Sequence, residues 1–293
     1  TWSHLLQHPA VVESARKIAS GSLQAPLQIS REINYSEETS PPLQPPPATI
    51  YPLPHIKKEG IKIISVTEIL NYLFCPRRFY WQKITGRDFH RRLQFMEEPV
   101  PKIRIGQTIH WLSSHYAGGR EDAALPAELR HPHLQKLWDN FLEAYKEISA
   151  ARHSAALVFT EKEFVINIAK YLIKGKWDFI SVGEKECYIV DYKTADPEKI
   201  PLQQKAIYHQ QMDLYALAAR LVWPDSEINT EIVYIHNLTR GKCCYSLEQL
   251  KKIRRWLEKI LSGMSGEEMA DFPMVEKNCP VCPFQPVCTF DIN

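Results

Sequence analysis

From Ile61 to the end of the chain, hydrophobic positions recur in blocks whose period alternates between that of a helix and that of a strand. A short strand at Ile61 runs into a helix with Ser65 or Thr67 as N-cap and Ile69, Leu70, Leu73 and Phe74 on its buried side, and Pro76 ends it. Ile105, Ile109 and Leu112 mark a second helix over 105–116, stopped by Gly118-Gly119, and a third spans His133–Ser149. Three strand-like runs follow, Ala156–Ile168, Tyr171–Val182 and Glu186–Thr194, separated by turns short enough for a meander. Pro201 opens a long helix to about Trp223. Strands at Ile228–His236 and Lys242–Tyr245 and a basic amphipathic helix at Leu247–Leu261 complete the pattern, and from Phe272 the chain reads as a Cys- and Pro-rich loop. This order predicts an α/β or α+β fold with a mixed central sheet.

Residues 1–60 differ. Trp2–Ser20 reads as a short helix with Leu5, Leu6, Val11, Val12, Ala15 and Ile18 on one side. Seven of the fourteen residues from Pro41 to Pro54 are proline, which reads as an extended linker or surface strap. A domain boundary is expected near Gly60, with 61–293 as the second domain.

The 293 residues are 44% hydrophobic and 24% charged, with a net charge of +2, an ordinary globular composition that excludes collagen-like, disordered and disulfide-miniprotein classes. No apolar run is long enough for a membrane helix, because Tyr215–Trp223 is interrupted by Arg220. The chain begins at Thr1, as a trimmed or excised chain does. Its N-terminus lacks the order of a signal peptide, so the expected location is the cytoplasm. Charge is uneven. Eight Lys/Arg lie between Arg77 and Arg104 against Asp88, Glu97 and Glu98, and seven lie between Arg240 and Lys259 against two acids. Interleaved with Phe79, Tyr80, Trp81, Phe89, Phe95 and Trp256, such segments suit phosphate contacts and base stacking, although solvated helix faces look the same.

Ile189-Val190-Asp191-Tyr192-Lys193-Thr194 sits on a predicted strand, so Asp191 and Lys193 share a face. Asp178 lies in the preceding strand, where a hairpin brings the two carboxylates together. Such a pair repels itself unless a cation neutralises it, and Mg²⁺ or Mn²⁺ would also activate water. His110, on the second helix, becomes a third ligand if that helix packs over the sheet, and its imidazole favours Mn²⁺. Gln211 and Tyr215 are i, i+4 neighbours on the long helix. The same spacing recurs at Gln204 and Tyr208, so spacing alone selects neither pair. Glu161 and Glu163 share a strand face upstream of Asp178, and one of them is expected in the same cleft.

The most specific local signal is Cys279-Pro280-Val281-Cys282-Pro283-Phe284-Gln285-Pro286-Val287-Cys288. Its three prolines exclude a regular helix or strand, and three thiols in ten residues suit a metal that would fold them, with unligated reduced thiols as the alternative. A tetrahedral zinc site or an iron–sulfur cubane needs a fourth ligand, for which Cys75 is the best candidate. Cys187, Cys243 and Cys244 fall in strand-like runs and are expected to be buried apolar fillers.

Taken together, these residues resemble the iron–sulfur branch of the RecB-like PD-(D/E)XK nucleases, which includes CRISPR-associated RecB-like exonucleases and the nuclease modules of AddB-type helicase-nucleases. The resemblance rests on five elements in order: Leu73-Phe74-Cys75-Pro76-Arg77-Arg78-Phe79-Tyr80, Gly106 to His110, Gly175-Lys176-Trp177-Asp178 with Asp191-Tyr192-Lys193, Gln211 to Tyr215, and the cysteine tail. It covers about Ile61 to Cys288 and implies a restriction-endonuclease-like fold closed by a C-terminal cluster loop. It further implies a [4Fe-4S] cluster on Cys75, Cys279, Cys282 and Cys288, and a catalytic Mg²⁺ or Mn²⁺ on His110, Asp178, Asp191 and the Tyr192 carbonyl. Lys193 would orient water or phosphate, with Gln211 and Tyr215 positioning the strand. The implied activity is hydrolysis of single-stranded or end-exposed DNA, either with a helicase or a CRISPR adaptation protein as partner or as a stand-alone enzyme. The opposing reading is a non-catalytic DNA-binding or scaffold module whose four cysteines hold a metal.

Overall fold

Ser65 closes the first strand and caps the first helix by a reciprocal box, its Oγ accepting from Glu68 N at 3.2 Å while Glu68 Oε2 accepts from Ser65 N at 2.8 Å. The computed structural model describes residues 62–85, 102–116, 132–152, 155, 157–285 and 288, all within Thr49–Asn293, one of two units into which the chain divides. The predicted N-terminal helix, the Pro-rich segment and the boundary near Gly60 lie outside the described residues, as does the part of the basic run from Arg87 to Pro101.

Among the described residues the elements are β1 (Lys62–Ser65), α1 (Val66–Phe74), α2 (Pro76–Thr85), α3 (Lys102–Tyr116), α4 (Pro132–Ala151), β2 (Leu157–Ile168), β3 (Tyr171–Val182), β4 (Glu186–Lys193), α5 (Leu202–Val222), β5 (Glu227–Tyr234), β6 (Thr239–Tyr245) and α6 (Leu247–Gly263). Two short 3-10 turns, Met269–Asp271 and Glu276–Val281, follow. Pro76 ends α1, as expected, but it also starts α2. A proline at the first helical position lacks only a donor that would be unpaired there anyway, so the chain resumes its helix after one extended residue, Cys75.

The six strands form one mixed sheet in the order β1-β3-β4-β5-β6, with β2 on the other side of β3. Strands β2, β3 and β4 are the expected antiparallel meander, while β4 and β5 are parallel and joined by α5. Each face buries its own core. Ile69 of α1, Ala216 of α5 and Leu257 of α6 pack with Ile173, Ile180 and Ile189 on one face. Ile109 of α3 and Phe141 of α4 pack with Phe179, Val190 and Val233 on the other. The observed architecture is therefore a mixed α/β sheet flanked by helices, one of the two orders that the periodicity allows. No helix among the described residues is long and apolar enough to cross a membrane.

Candidate active site

The site begins where the sheet splits. β3 pairs with β4 only from Phe179–Val190 to Val182–Cys187, and with β1 only from Tyr171–Lys62 to Lys174–Ser65, both on the same side of β3. Between these ladders, Gly175 to Asp178 have no strand partner on that side, and the β3-facing backbone of β4 beyond Val190 would be left unpaired. A side chain supplies the missing acceptor: Asp178 Oδ2 takes the Tyr192 N–H at 2.9 Å. On the far side of β4, Ile235 N donates to the Lys193 carbonyl at 2.9 Å. Successive carbonyls alternate sides along a strand, so the Tyr192 carbonyl faces the fork.

β2 and β3 both change phase at the level of the fork. Leu157 and Phe159 pack on the α5 face, but so do Phe164, Ile166 and Ile168, which a strict two-residue period would place opposite. Likewise Trp177 and Ile180 share the α5 face, while Phe179 turns to the α4 face. Glu161 lies at the phase change of β2 with φ of 52°, a left-handed backbone rare for glutamate. This excursion separates Glu161 from Glu163, which is exposed, so the two do not share an ordinary strand face. Gly175 is needed nearby for space, because a Cβ there would meet the Phe164 ring at 2.3 Å and Val66 at 2.9 Å.

Two helices reach the fork from opposite faces. From α3, His110 Nδ1 lies 3.0 Å from Glu161 Oε1 and 3.4 Å from Asp178 Oδ1. His110, Glu161 and Asp178 each offer a ligand atom within 4.8 Å of the others, a grouping able to hold a metal ion. Ser113 Oγ also donates to Glu161 Oε1 at 3.2 Å, and Lys176 Nζ pairs with Glu161 Oε2. From α5, Gln211 closes a ring of contacts with β4. Gln211 Nε2 donates to Asp191 Oδ1 at 2.9 Å, Lys193 Nζ donates to Gln211 Oε1 at 2.8 Å, and Lys193 Nζ lies 2.6 Å from Asp191 Oδ2. Gln211 Nε2 also donates to the Tyr215 hydroxyl at 2.9 Å. Asp191 is only 1% exposed and Lys193 15%, so this ring is a buried one.

Three carboxylates and three basic groups crowd the fork, and their ionisation reflects it. The Asp178 carboxylate raises the His110 imidazole to about 9, against the opposing effect of burial, with Glu161 adding to the rise. Burial raises Asp178 itself, more than His110 and Lys193 can offset. Burial also works to raise Glu161, but hydrogen bonds from His110 and Lys176 outweigh it and hold this carboxyl low. Burial would lower Lys193, yet Asp191 and Asp178 keep its ammonium above the ordinary value.

The predicted residues thus divide into two adjoining sets: His110 with Asp178, and Asp191 with Lys193, Gln211 and Tyr215. Glu161 joins the first and Lys176 extends it. Tyr208 also meets the second set, its ring centroid 4.6 Å from Lys193 Nζ. No simple period marks these last two residues as a site, although Lys176 stands two residues before Asp178 and Tyr208 one turn before Gln211.

At the C-terminal end of α1, Val275 N lies 3.4 Å from Cys75 Sγ, and the Asn278 side-chain amide donates to the Phe74 carbonyl. Cys279, Cys282 and Cys288 each sense the charge of Cys75, and all three thiols are raised, chiefly by burial. Arg78 acts on Cys282 and Arg77 on Cys288. The remaining cysteines correct one expectation. Cys187 is buried, but Cys243 and Cys244 are exposed because β6 is the edge strand of the sheet.

Among curated proteins none matches the chain. Solved structures similar to it include SSO0001, at 16% identity and a TM-score of 0.45, covering 82% of this chain and 90% of that one. A candidate exonuclease from Eubacterium rectale aligns at 12% identity and a TM-score of 0.49, covering 78% of this chain and 88% of its own. Residues 63–289, which contain every residue of the fork and the whole cysteine tail, match the family model of the PD-(D/E)XK nuclease superfamily, and the chain belongs to that superfamily.

Proposed function

We propose that the chain is a divalent-metal-dependent DNA nuclease that hydrolyses phosphodiester bonds at single-stranded or end-exposed DNA, with exonucleolytic action. The observation that carries this reading is the fork: an imidazole and three carboxylates from α3, β2, β3 and β4 meet within reach of one buried lysine. Hard oxygen donors with one imidazole suit Mn²⁺ or Mg²⁺. His110, Glu161 and Asp178 would hold the ion, with Asp191 and the Tyr192 carbonyl on the adjoining strand. Bound there, it supplies charge neutralisation at the phosphoryl group and a water of lowered pKa. The chain itself does the positioning. Asp178 fixes β4 through Tyr192 N–H, Gln211 orients both Asp191 and Lys193, and the Lys193 ammonium faces the phosphate or attacking water.

Cys75, Cys279, Cys282 and Cys288 suit a [4Fe-4S] cluster: four soft thiols from both ends of the domain, a backbone N–H at one sulfur and guanidinium groups close by. Its part is to staple the domain. The exposed basic face of α6 contacts DNA, and residues 1–60 join the module to a helicase or CRISPR-associated partner.

The test is incubation of end-labelled single-stranded DNA with Mn²⁺, with and without EDTA. Cleavage in Mn²⁺ alone is expected, together with its loss in Asp191→Asn and in Lys193→Met while circular dichroism and melting temperature hold. Binding without cleavage under every divalent metal would overturn the nuclease reading in favour of a DNA-binding scaffold, and full activity in both variants would reject this centre.

A further inference from the structure

The Lys193 ammonium has three N–H donors, one hydrogen-bond acceptor in the fork, Gln211 Oε1 at 2.8 Å, and one ion-pair partner, Asp191 Oδ2 at 2.6 Å. Its remaining side meets the ring of Tyr208, whose centroid is 4.6 Å from Nζ. Tyr208 precedes Gln211 by three residues and Tyr215 by seven on α5, so the three side chains line one helix face opposite β4. Behind Tyr208 stands Tyr234, ring centroids 6.4 Å apart, on β5 directly across from Lys193. The aromatic wall is therefore fixed at both ends, by a helix and by the neighbouring strand.

We propose that Tyr208 is a positioning residue for Lys193, acting through the face of its ring and not through its hydroxyl; this rests on the nuclease reading above. Asp191 Oδ2 is an oxygen that an incoming divalent cation competes for, so the lysine cannot rely on it as a tether. Gln211 alone would leave one hydrogen bond to hold a four-carbon stem that is costly to immobilise. A ring face attracts an ammonium and offers nothing to a hard, oxygen-seeking ion. Tyr208 thus keeps Lys193 aimed at the phosphate while Asp191 serves another partner.

Tyr208→Leu should slow the single-turnover cleavage rate by about 2- to 30-fold, the span of a cation–π contact from exposed to desolvated. DNA affinity measured in EDTA should be unchanged, and Tyr208→Phe should restore the wild-type rate. A second readout does not need activity: peptide-resolved labelling by an amine-reactive reagent should show Lys193 reacting several-fold faster in Tyr208→Leu and at the wild-type rate in Tyr208→Phe. The proposal is overturned if Lys193 labelling is the same in all three proteins, if Phe fails as badly as Leu, or if Leu changes affinity alone. A wild-type chain that cleaves no DNA rejects the nuclease reading instead, and the labelling still decides whether Tyr208 holds the lysine.

Discussion

Glu161 gives a test in which the sign of the effect matters more than its size. At φ of 52° its backbone is left-handed, which costs a residue with a Cβ roughly 1–2 kcal/mol and glycine almost nothing. Glu161→Ala and Glu161→Gly both remove the carboxylate that His110, Ser113 and Lys176 contact, so that loss cancels between them. Glycine carries its own penalty of about 0.5–1 kcal/mol from extra freedom in the unfolded chain. The difference leaves Glu161→Gly more stable than Glu161→Ala by about 0.75 kcal/mol at the centre of the two ranges and by up to about 1.5 kcal/mol. In ordinary extended backbone the order reverses by a similar amount. Urea denaturation in EDTA, followed by tryptophan fluorescence, measures the gap from the two midpoints at equal m-values. Mn²⁺ titration of both proteins should show weaker binding than wild type. An alanine variant as stable as the glycine variant would refute the left-handed geometry, and unchanged Mn²⁺ affinity would remove Glu161 from the metal group.

Gly175→Ala forces a methyl into the Phe164 ring and Val66 at the base of the fork, and should cost about 1–3 kcal/mol of stability in a denaturant midpoint; a neutral result would mean that β2 and α1 yield there. Because the Asp178 carboxylate raises His110 to about 9, coordination must displace a proton below that pH, so apparent Mn²⁺ affinity should climb from pH 6.5 toward 9 and then level off. Calorimetry in buffers of different ionisation enthalpy should register the released proton, and an affinity flat over that range contradicts the assignment. Cys279→Ser should abolish the visible absorption of anaerobically prepared protein and lower its stability by about 2–5 kcal/mol, as opening a covalent closure does. Colourless wild-type protein with stoichiometric zinc would replace the cluster by a zinc site on the same four cysteines.

What the sequence discloses of this site depends on how regular the local backbone is. Asp191 and Lys193 are found from a period of two because β4 keeps it through Lys193. Gln211 and Tyr215 follow from the helical period because α5 is unbroken across the fork. Glu161 resists the same logic. Its phase depends on a left-handed residue inside β2, which the period of the flanking residues does not encode. Tyr208 is concealed differently, because the Gln204–Tyr208 repeat of the spacing looks accidental until the position of the lysine is known. The helix starting at Pro76 is hidden by the proline, which signals a stop to one helix and a start to the next with equal force. Cys243 and Cys244 mislead because strand composition does not say which strand is the edge.

The fork and the cysteine site share one structural dependency. β1 supplies the ladder that lets β3 part from β4, and β1 continues through Ser65 into α1, which ends at Cys75. Arg77 Nε donates to the Phe272 carbonyl at 2.7 Å, Asn278 reaches the Phe74 carbonyl and Val275 N meets Cys75 Sγ, so the tail holds the far end of the same strand-helix unit. A four-residue strand is a weak anchor by itself. Fixing its helix at the opposite end limits how far β1 can shift and therefore how far Gly175 to Asp178 can close against β4. Loss of the sulfur site should accordingly lower the activity of the folded fraction as well as its amount, because the carboxylate of Asp178 depends on the gap that β1 keeps open.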